Sequence, residues 1–276
     1  MSRAQTLYID GDSIFHKLSG VSKILLFIVW TMITVMFLDI RIFAAMAVIG
    51  AIMLYFSQIP WKTIKPLLWI MIAFNLINII FILLITPQYG SELVGTSTNL
   101  INIGYAYISK ETLFYVLTIS LKYAVLMPIT VIFIFTTHPS EFASSLNKIG
   151  IPYKIAYAVN IAFRYIPDVQ REYKDILNAQ QSRGLAFKKG EGSVVEILKN
   201  YTTIFVPLVS SSIKRIETVS NAMELRSFGK KRKRTWYSYK KLTAADFIFI
   251  AVCIVLLVGA VYLKNNVITG FYRKWN

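Results

Sequence analysis

The chain has 276 residues, of which 55% are hydrophobic and only 16% charged, and its net charge is +16. Soluble chains carry about 25% charged residues; here the apolar excess, with a mean hydropathy of +0.55, is gathered into long runs, which points to a membrane protein. Disorder, a collagen-like repeat and a disulfide scaffold are excluded, and the single cysteine, Cys253, forms neither an internal disulfide nor a Cys-based metal site.

The first twenty residues are polar and mixed, with Asp10, Asp12, His16 and Lys17, and predict no cleavable secretory leader. Five runs follow that are long enough, or nearly so, to cross about 30 Å of hydrocarbon at about 1.5 Å per residue. They are Val21–Leu38, Ile40–Ser57, Pro66–Ile85, Thr112–Thr136 and Thr243–Leu263. Only Asp39 and Arg41 separate the first two, and one helix of that length would overshoot the bilayer, so a tight hairpin is expected. Within the spans, Asn75 and Asn78 share one face at i, i+3 and read as interhelical hydrogen-bonding groups. Lys122 is open to three readings: a functional intramembrane charge, a snorkelling side chain, or the partner of a carboxylate such as Glu92. Cys253 reads as a small apolar residue facing lipid or the bundle.

Between Pro139 and Lys241 there are 19 Lys and Arg against 8 Asp and Glu, a net +11. Such a block suits nucleic acid, but hydrophobic spans on both sides favour the positive-inside rule. The N-terminus and this segment are then cytoplasmic, the polar stretch Pro87–Glu111 lies outside, and five spans put the C-terminus outside.

The basic segment is too periodic to be a loop. A short helix begins after Pro139 and stops at Gly150 and Pro152. A second runs from Tyr153 to Arg183, with apolar residues at helical spacing, Pro167 expected to bend it and Gly184 to cap it. A third starts at Ser193, where Ser193 and Glu196 read as a capping box, and runs to about Arg226 with a bend at Pro207. The two long helices end alike, in Ser182-Arg183-Gly184 and Leu225-Arg226-Ser227. An arginine in a last turn complements the helix dipole. Two matching ends add a second reading, in which each guanidinium enters a partner's groove and pairs with a carboxylate. Lys230–Arg234 and Trp236-Tyr237-Ser238-Tyr239 then describe a membrane-interface anchor before the last span.

Motifs of chemistry are missing. There is no phosphate-binding loop with Lys-Ser/Thr, no Gly-x-Ser-x-Gly elbow and no His-Glu-x-x-His. His16 and His138 stand apart and read as surface residues. The expected class is an all-α integral membrane protein with about five transmembrane helices and a module of one short and two long amphipathic helices. The expected division is 1–138 for four spans, 139–235 for the helical module and 236–276 for the last span and tail. A stand-alone channel or secondary transporter would show more intramembrane charge and repeat symmetry, and an integral membrane enzyme would need a catalytic constellation.

Several motifs occur in one order: His16-Lys17-Leu18, Thr136-Thr137-His138-Pro139, Gly150-Ile151-Pro152, Phe163-Arg164-Tyr165-Ile166-Pro167, Ala179-Gln180-Gln181-Ser182-Arg183-Gly184 and Ala222-Met223-Glu224-Leu225-Arg226-Ser227-Phe228-Gly229. In this the chain resembles the transmembrane T component (EcfT/CbiQ family) of energy-coupling factor type ABC transporters, which import vitamins or cobalt and nickel. The family's signature tripeptides are Ala-Arg-Gly or close variants. Here Ser182-Arg183-Gly184 departs at one residue and Leu225-Arg226-Ser227 at two. The resemblance implies a non-catalytic coupling subunit without a cofactor of its own, ATP and Mg being bound by the partners. It implies two ABC-type ATPase subunits docked on the arginine tips, a small substrate-binding membrane subunit on the apolar helix faces, a lipid bilayer and no nucleic acid.

Overall fold

The computed structural model describes residues 8–94, 99–102, 107–187, 193–230 and 235–266. Its elements are α1 (Ile14–Lys17), α2 (Gly20–Met36), α3 (Ile40–Ser57), α4 (Trp61–Ile85), α5 (Tyr89–Val94), β1 (Asn99–Asn102), β2 (Tyr107–Ser109), α6 (Lys110–Thr136), α7 (Pro139–Lys148), α8 (Tyr153–Ser182), α9 (Val194–Leu225) and α10 (Ala244–Asn266). Among the described residues the fold is helical but for the antiparallel pair β1 and β2. Helices α3, α4, α6 and α10 are long and apolar enough to cross a membrane, and α2 is a shorter apolar helix. At 17 residues, α2 reaches the lower limit for a span, about 17 residues.

Chain contacts divide the molecule into two compact units, one of Leu7–Ser145 with Lys240–Asn276, the other holding Leu146–Tyr239. In the first unit the break between α2 and α3 falls where the sequence predicts it. The Asp39 carboxylate accepts the Arg41 N–H at 2.8 Å and caps α3. Gly50 brings α3 against α6, where a Cβ would sit 3.0 Å from Pro128 Cγ; small residues at such contacts let membrane helices approach closely. Trp30, Phe43, Val125, Ile129 and Ile132 fill the centre, and Trp30 Nε1 donates to the Val125 carbonyl at 3.0 Å.

Polar groups tie the ends of these helices. Asp246, near the start of α10, accepts the Ser19 N–H at 2.8 Å and the Ser22 hydroxyl at 2.7 Å on one oxygen. Its other oxygen accepts the Thr243 N–H and hydroxyl, both at 2.8 Å. Lys23 Nζ is buried and donates to the Thr136 carbonyl at 2.7 Å, satisfying one of the acceptors left open at the end of α6. Lys240 Nζ donates to the His16 carbonyl at 2.8 Å and stands 3.6 Å from Glu141 Oε2.

Other expectations need correction. His16 is not a surface residue: it is buried, with Nδ1 2.6 Å from Ser13 Oγ and Nε2 2.9 Å from the Ile9 carbonyl. The reason is the folded-back N-terminal segment, anchored by the Ile9 N–H on the Phe135 carbonyl at 3.0 Å. Burial holds the imidazole below its usual range, and the charges of Lys23 and Lys240 act in the same direction, against the Ile9 bond and Asp10. Pro87–Glu111 is more than a polar connection. Ser91 Oγ donates to Ser109 Oγ at 2.6 Å, Thr112 Oγ1 donates to the Pro87 carbonyl at 2.7 Å, and β1 pairs antiparallel with β2. Lys122 makes no ion pair among the described residues, so pairing with Glu92 is not realised. Asn75 does join α4 to α6: Nδ2 donates to the Ser120 carbonyl at 3.3 Å and Oδ1 accepts from Ser120 Oγ at 3.0 Å.

Candidate functional site

The site belongs to the second unit and is built from α8 and α9. Each is amphipathic, with apolar residues recurring at helical spacing, and each continues unbroken through its internal proline, Pro167 or Pro207. Three contacts define an antiparallel pair. Tyr157 meets Phe228 at 4.7 Å between ring centroids, Arg215 Nη2 donates to Glu172 Oε2 at 2.6 Å, and Phe187 meets Tyr201 edge-on at 5.5 Å. The Arg215 guanidinium also lies over the Tyr165 ring, 5.6 Å from its centre. A cavity of about 340 Å³ remains between the helices, lined by Tyr165, Val169, Arg215, Val219 and Met223 among others. Much of the apolar surface is uncovered, including Ile166, Leu198, Phe205, Val206 and Ile216.

The ends of both helices have the same backbone chemistry. After α8, the Gly184 N–H bonds the Gln181 carbonyl at 2.9 Å and the Leu185 N–H bonds the Gln180 carbonyl at 3.2 Å. After α9, the Ser227 N–H bonds the Glu224 carbonyl at 2.8 Å and the Phe228 N–H bonds the Met223 carbonyl at 2.9 Å. Both are Schellman motifs, in which two N–H groups fold back on carbonyls that the helix leaves open. The motif needs a left-handed residue just past the cap, and Gly184 (φ 84°) and Ser227 (φ 54°) supply it. Arg183 and Arg226 are therefore equivalent: each is the C-cap residue, each is exposed, and each carries its charge at the negative end of a helix dipole. Ser182 bonds back to the Asn178 carbonyl at 3.0 Å, and Leu225 is 87% exposed. The antiparallel register sets the two arginines at opposite ends of the pair, at most about 40 Å apart by helix rise.

All six residues of the two tripeptides thus lie in two matching turns. The capping box at the start of α9 does not form: Ser193 has N-cap dihedrals, but its side chain accepts no backbone bond. Ser193 and Glu196 are exposed, and water can satisfy the open N–H groups there. The basic run is described only at Lys230; 231–234 lie outside the described residues. Trp236 is not merely an interface aromatic. Its Nε1 donates to Asn147 Oδ1 at 3.2 Å, and its ring packs on Tyr153 at 5.6 Å. Sequence reasoning missed Asn147, Asn200 and Phe187, and quoted Phe228 only as part of a motif, without its packing role. The local signal for its packing is its place as the apolar residue following a Schellman turn; the others carry none.

Comparison with known proteins supplies the family. Residues 11–237 match the family described as "CbiQ: Cobalt transport protein". The chain belongs to the CbiQ family. Curated relatives of similar length bear the name "Energy-coupling factor transporter transmembrane protein EcfT". One from Streptococcus equi subsp. equi is 24% identical over 270 residues, 94% of this chain and 95% of the relative. That from Bacillus subtilis is 26% identical over 269 residues, covering 93% and 96%. That from Brevibacillus brevis is 29% identical over 265 residues, covering 91% and 94%. As a CbiQ-family chain with these helices, the protein is a multi-pass membrane component of a transporter. The family match takes in both arginine turns.

Proposed function

We propose that this chain is the coupling subunit of an energy-coupling factor type ABC importer. Arg183 and Arg226 dock in grooves of two ABC-type ATPase subunits, one at each end of the α8–α9 pair. ATP and Mg are bound and turned over by those partners; this chain contributes no catalytic group. A small substrate-binding membrane subunit lies on the uncovered apolar faces of α8 and α9, and receives the motion that the ATPases impart. The cargo is a vitamin or a transition-metal ion. In this reading residues 1–138 and 236–276 are the membrane part and 139–235 the coupling module, which faces the cytoplasm with the N-terminus, while the C-terminus is outside. The excess of basic residues between Pro139 and Lys241 supports that orientation.

One observation carries the reading. Two arginines occupy the same cap position of two matching turns at opposite ends of one antiparallel pair. Dipole complementation explains a single such arginine, worth about 0.3–1 kcal/mol, but gives no reason for matched turns at both ends. Two similar partner surfaces do. A guanidinium at each end offers bidentate pairing with a partner carboxylate.

The test is uptake by cells in which this chain is replaced by the Arg183→Glu/Arg226→Glu double variant. Uptake is lost, the chain stays in the membrane, and the ATPases no longer co-purify with it. Normal uptake with the ATPases still bound overturns the proposal.

A further inference from the structure

Just beyond each arginine turn, the chain is fastened to the foot of the other helix. Past Arg226, Phe228 packs on Tyr157 and, at 5.5 Å, on Tyr153, the first residue of α8. Trp236 closes over the same pair, and its N–H ends on Asn147, whose Nδ2 in turn donates to the Ile151 carbonyl at 2.9 Å. Past Arg183, Phe187 is buried against Tyr201, about two turns into α9, and Asn200 Nδ2 donates to the Ala186 carbonyl at 2.9 Å. Asn200 is itself buried, 8% exposed. The two fastenings are alike in outline: an aromatic after the turn, a tyrosine near the start of the opposite helix, and an asparagine bonded to the exit segment, Asn200 as donor to the Ala186 carbonyl and Asn147 as acceptor from Trp236. Between the two fastenings the helices are joined by the Arg215–Glu172 ion pair, with the cavity on the side of it nearer Tyr157, so the pair is held at both ends and once between them.

The geometry points to Asn147 and Asn200 as positioning residues for the arginine turns, an inference that rests on reading those turns as docking points. Each asparagine fixes the direction in which one turn leaves its helix by tying the exit segment to the foot of the other. The two guanidinium groups are thereby carried on one frame with a set spacing. Two partner proteins that approach or separate act on the frame as a whole; a loosened turn would follow its own partner and transmit nothing.

The experiment reads the spacing directly. Cysteines replace the exposed Gln181 and Glu224 in the full chain, with the buried Cys253 changed to Ala, and spin labels report their separation in lipid nanodiscs. The parent gives one narrow distance. Asn147→Ala and Asn200→Ala each lose it and give a broad distribution, while helix content is unchanged. In cells both reach the membrane at the parent level and lose uptake. If Asn147→Ala folds poorly, Trp236→Phe, which keeps the ring and removes only the N–H, carries the same test for that end. An unchanged narrow distance in Trp236→Phe and Asn200→Ala overturns the assignment. The distance needs no partner, so it separates this inference from the docking reading. Broad distances together with intact uptake in the double arginine variant would sink the docking reading alone.

Discussion

Gly184 and Ser227 occupy the same left-handed position of two equivalent turns, at φ 84° and φ 54°. A residue with a Cβ is disfavoured there by about 1–2 kcal/mol, whereas glycine is not. Ser227→Gly relieves that strain and gives back about 0.4–1 kcal/mol through the greater freedom of the unfolded chain. The variant is expected to be more stable by up to about 1 kcal/mol, and Gly184→Ala less stable by a similar amount. Thermal unfolding of the purified chain in detergent checks both, and a lower midpoint for Ser227→Gly would contradict the strain argument.

Asp246 accepts four hydrogen bonds and is 1% exposed. Asp246→Asn turns one acceptor oxygen into a donor NH₂ facing groups that are themselves donors. The expected loss is about 2–3 kcal/mol, against about 1 kcal/mol for Ser22→Ala, which takes away one of the four bonds to Asp246 and the weaker contact with Ser19 Oγ at 3.1 Å but leaves no donor facing a donor. The midpoints of the two variants, measured side by side, would refute this if they were equal.

Stability is expected to depend on pH through His16. Burial, its largest influence, lowers its folded pKa below that of the unfolded chain, which is about 6.5. Between the two values the unfolded chain binds more protons, so stability is full above about pH 6.5 and declines as pH falls toward the folded value. His16→Gln keeps a donor for the Ile9 carbonyl and cannot titrate. The midpoint should fall from about pH 7.5 to about pH 5.5 more steeply in the parent than in this variant; parallel curves would remove His16 as the cause.

Asn75 and Ser120 form a two-way hydrogen bond between α4 and α6. Such bonds within membranes contribute about 0.6–2 kcal/mol. A double-mutant cycle with Asn75→Ala and Ser120→Ala should return a coupling of about 1 kcal/mol from the side-chain bond. Additive effects would mean that the pair contributes nothing.

Much of the architecture was legible because its causes are local. Asp39 announces the break before α3 because a short acidic side chain caps a helix, and α8 and α9 follow from apolar spacing. The tripeptides around Arg183 and Arg226 mark helix ends because glycine, or a small polar substitute, must take the left-handed position. What was not legible depends on distant partners. Trp236 reads as an interface aromatic until Asn147 is found beside it. His16 reads as a surface histidine because nothing near it in sequence reveals that Ile9 folds back to cover it. The structure around Pro87–Glu111 depends on Ser91 reaching Ser109, which composition does not encode. Ser193 and Glu196 are the reverse case, a correct local pattern whose bond is not made.

The hydrogen bond between Trp236 and Asn147 spans 89 residues of sequence. Everything from α8 through the second arginine turn is enclosed by it, so the chain leaves this helical pair beside the point where it came in. Segments whose ends meet in this way tolerate transplantation, because replacing them leaves the flanking chain with the same gap to close. The α8–α9 pair is in that sense a cassette. Exchanging residues 147–236 for those of a relative, with both closing side chains retained, is the natural route to a chimera that keeps one protein's membrane helices and takes another's arginine turns.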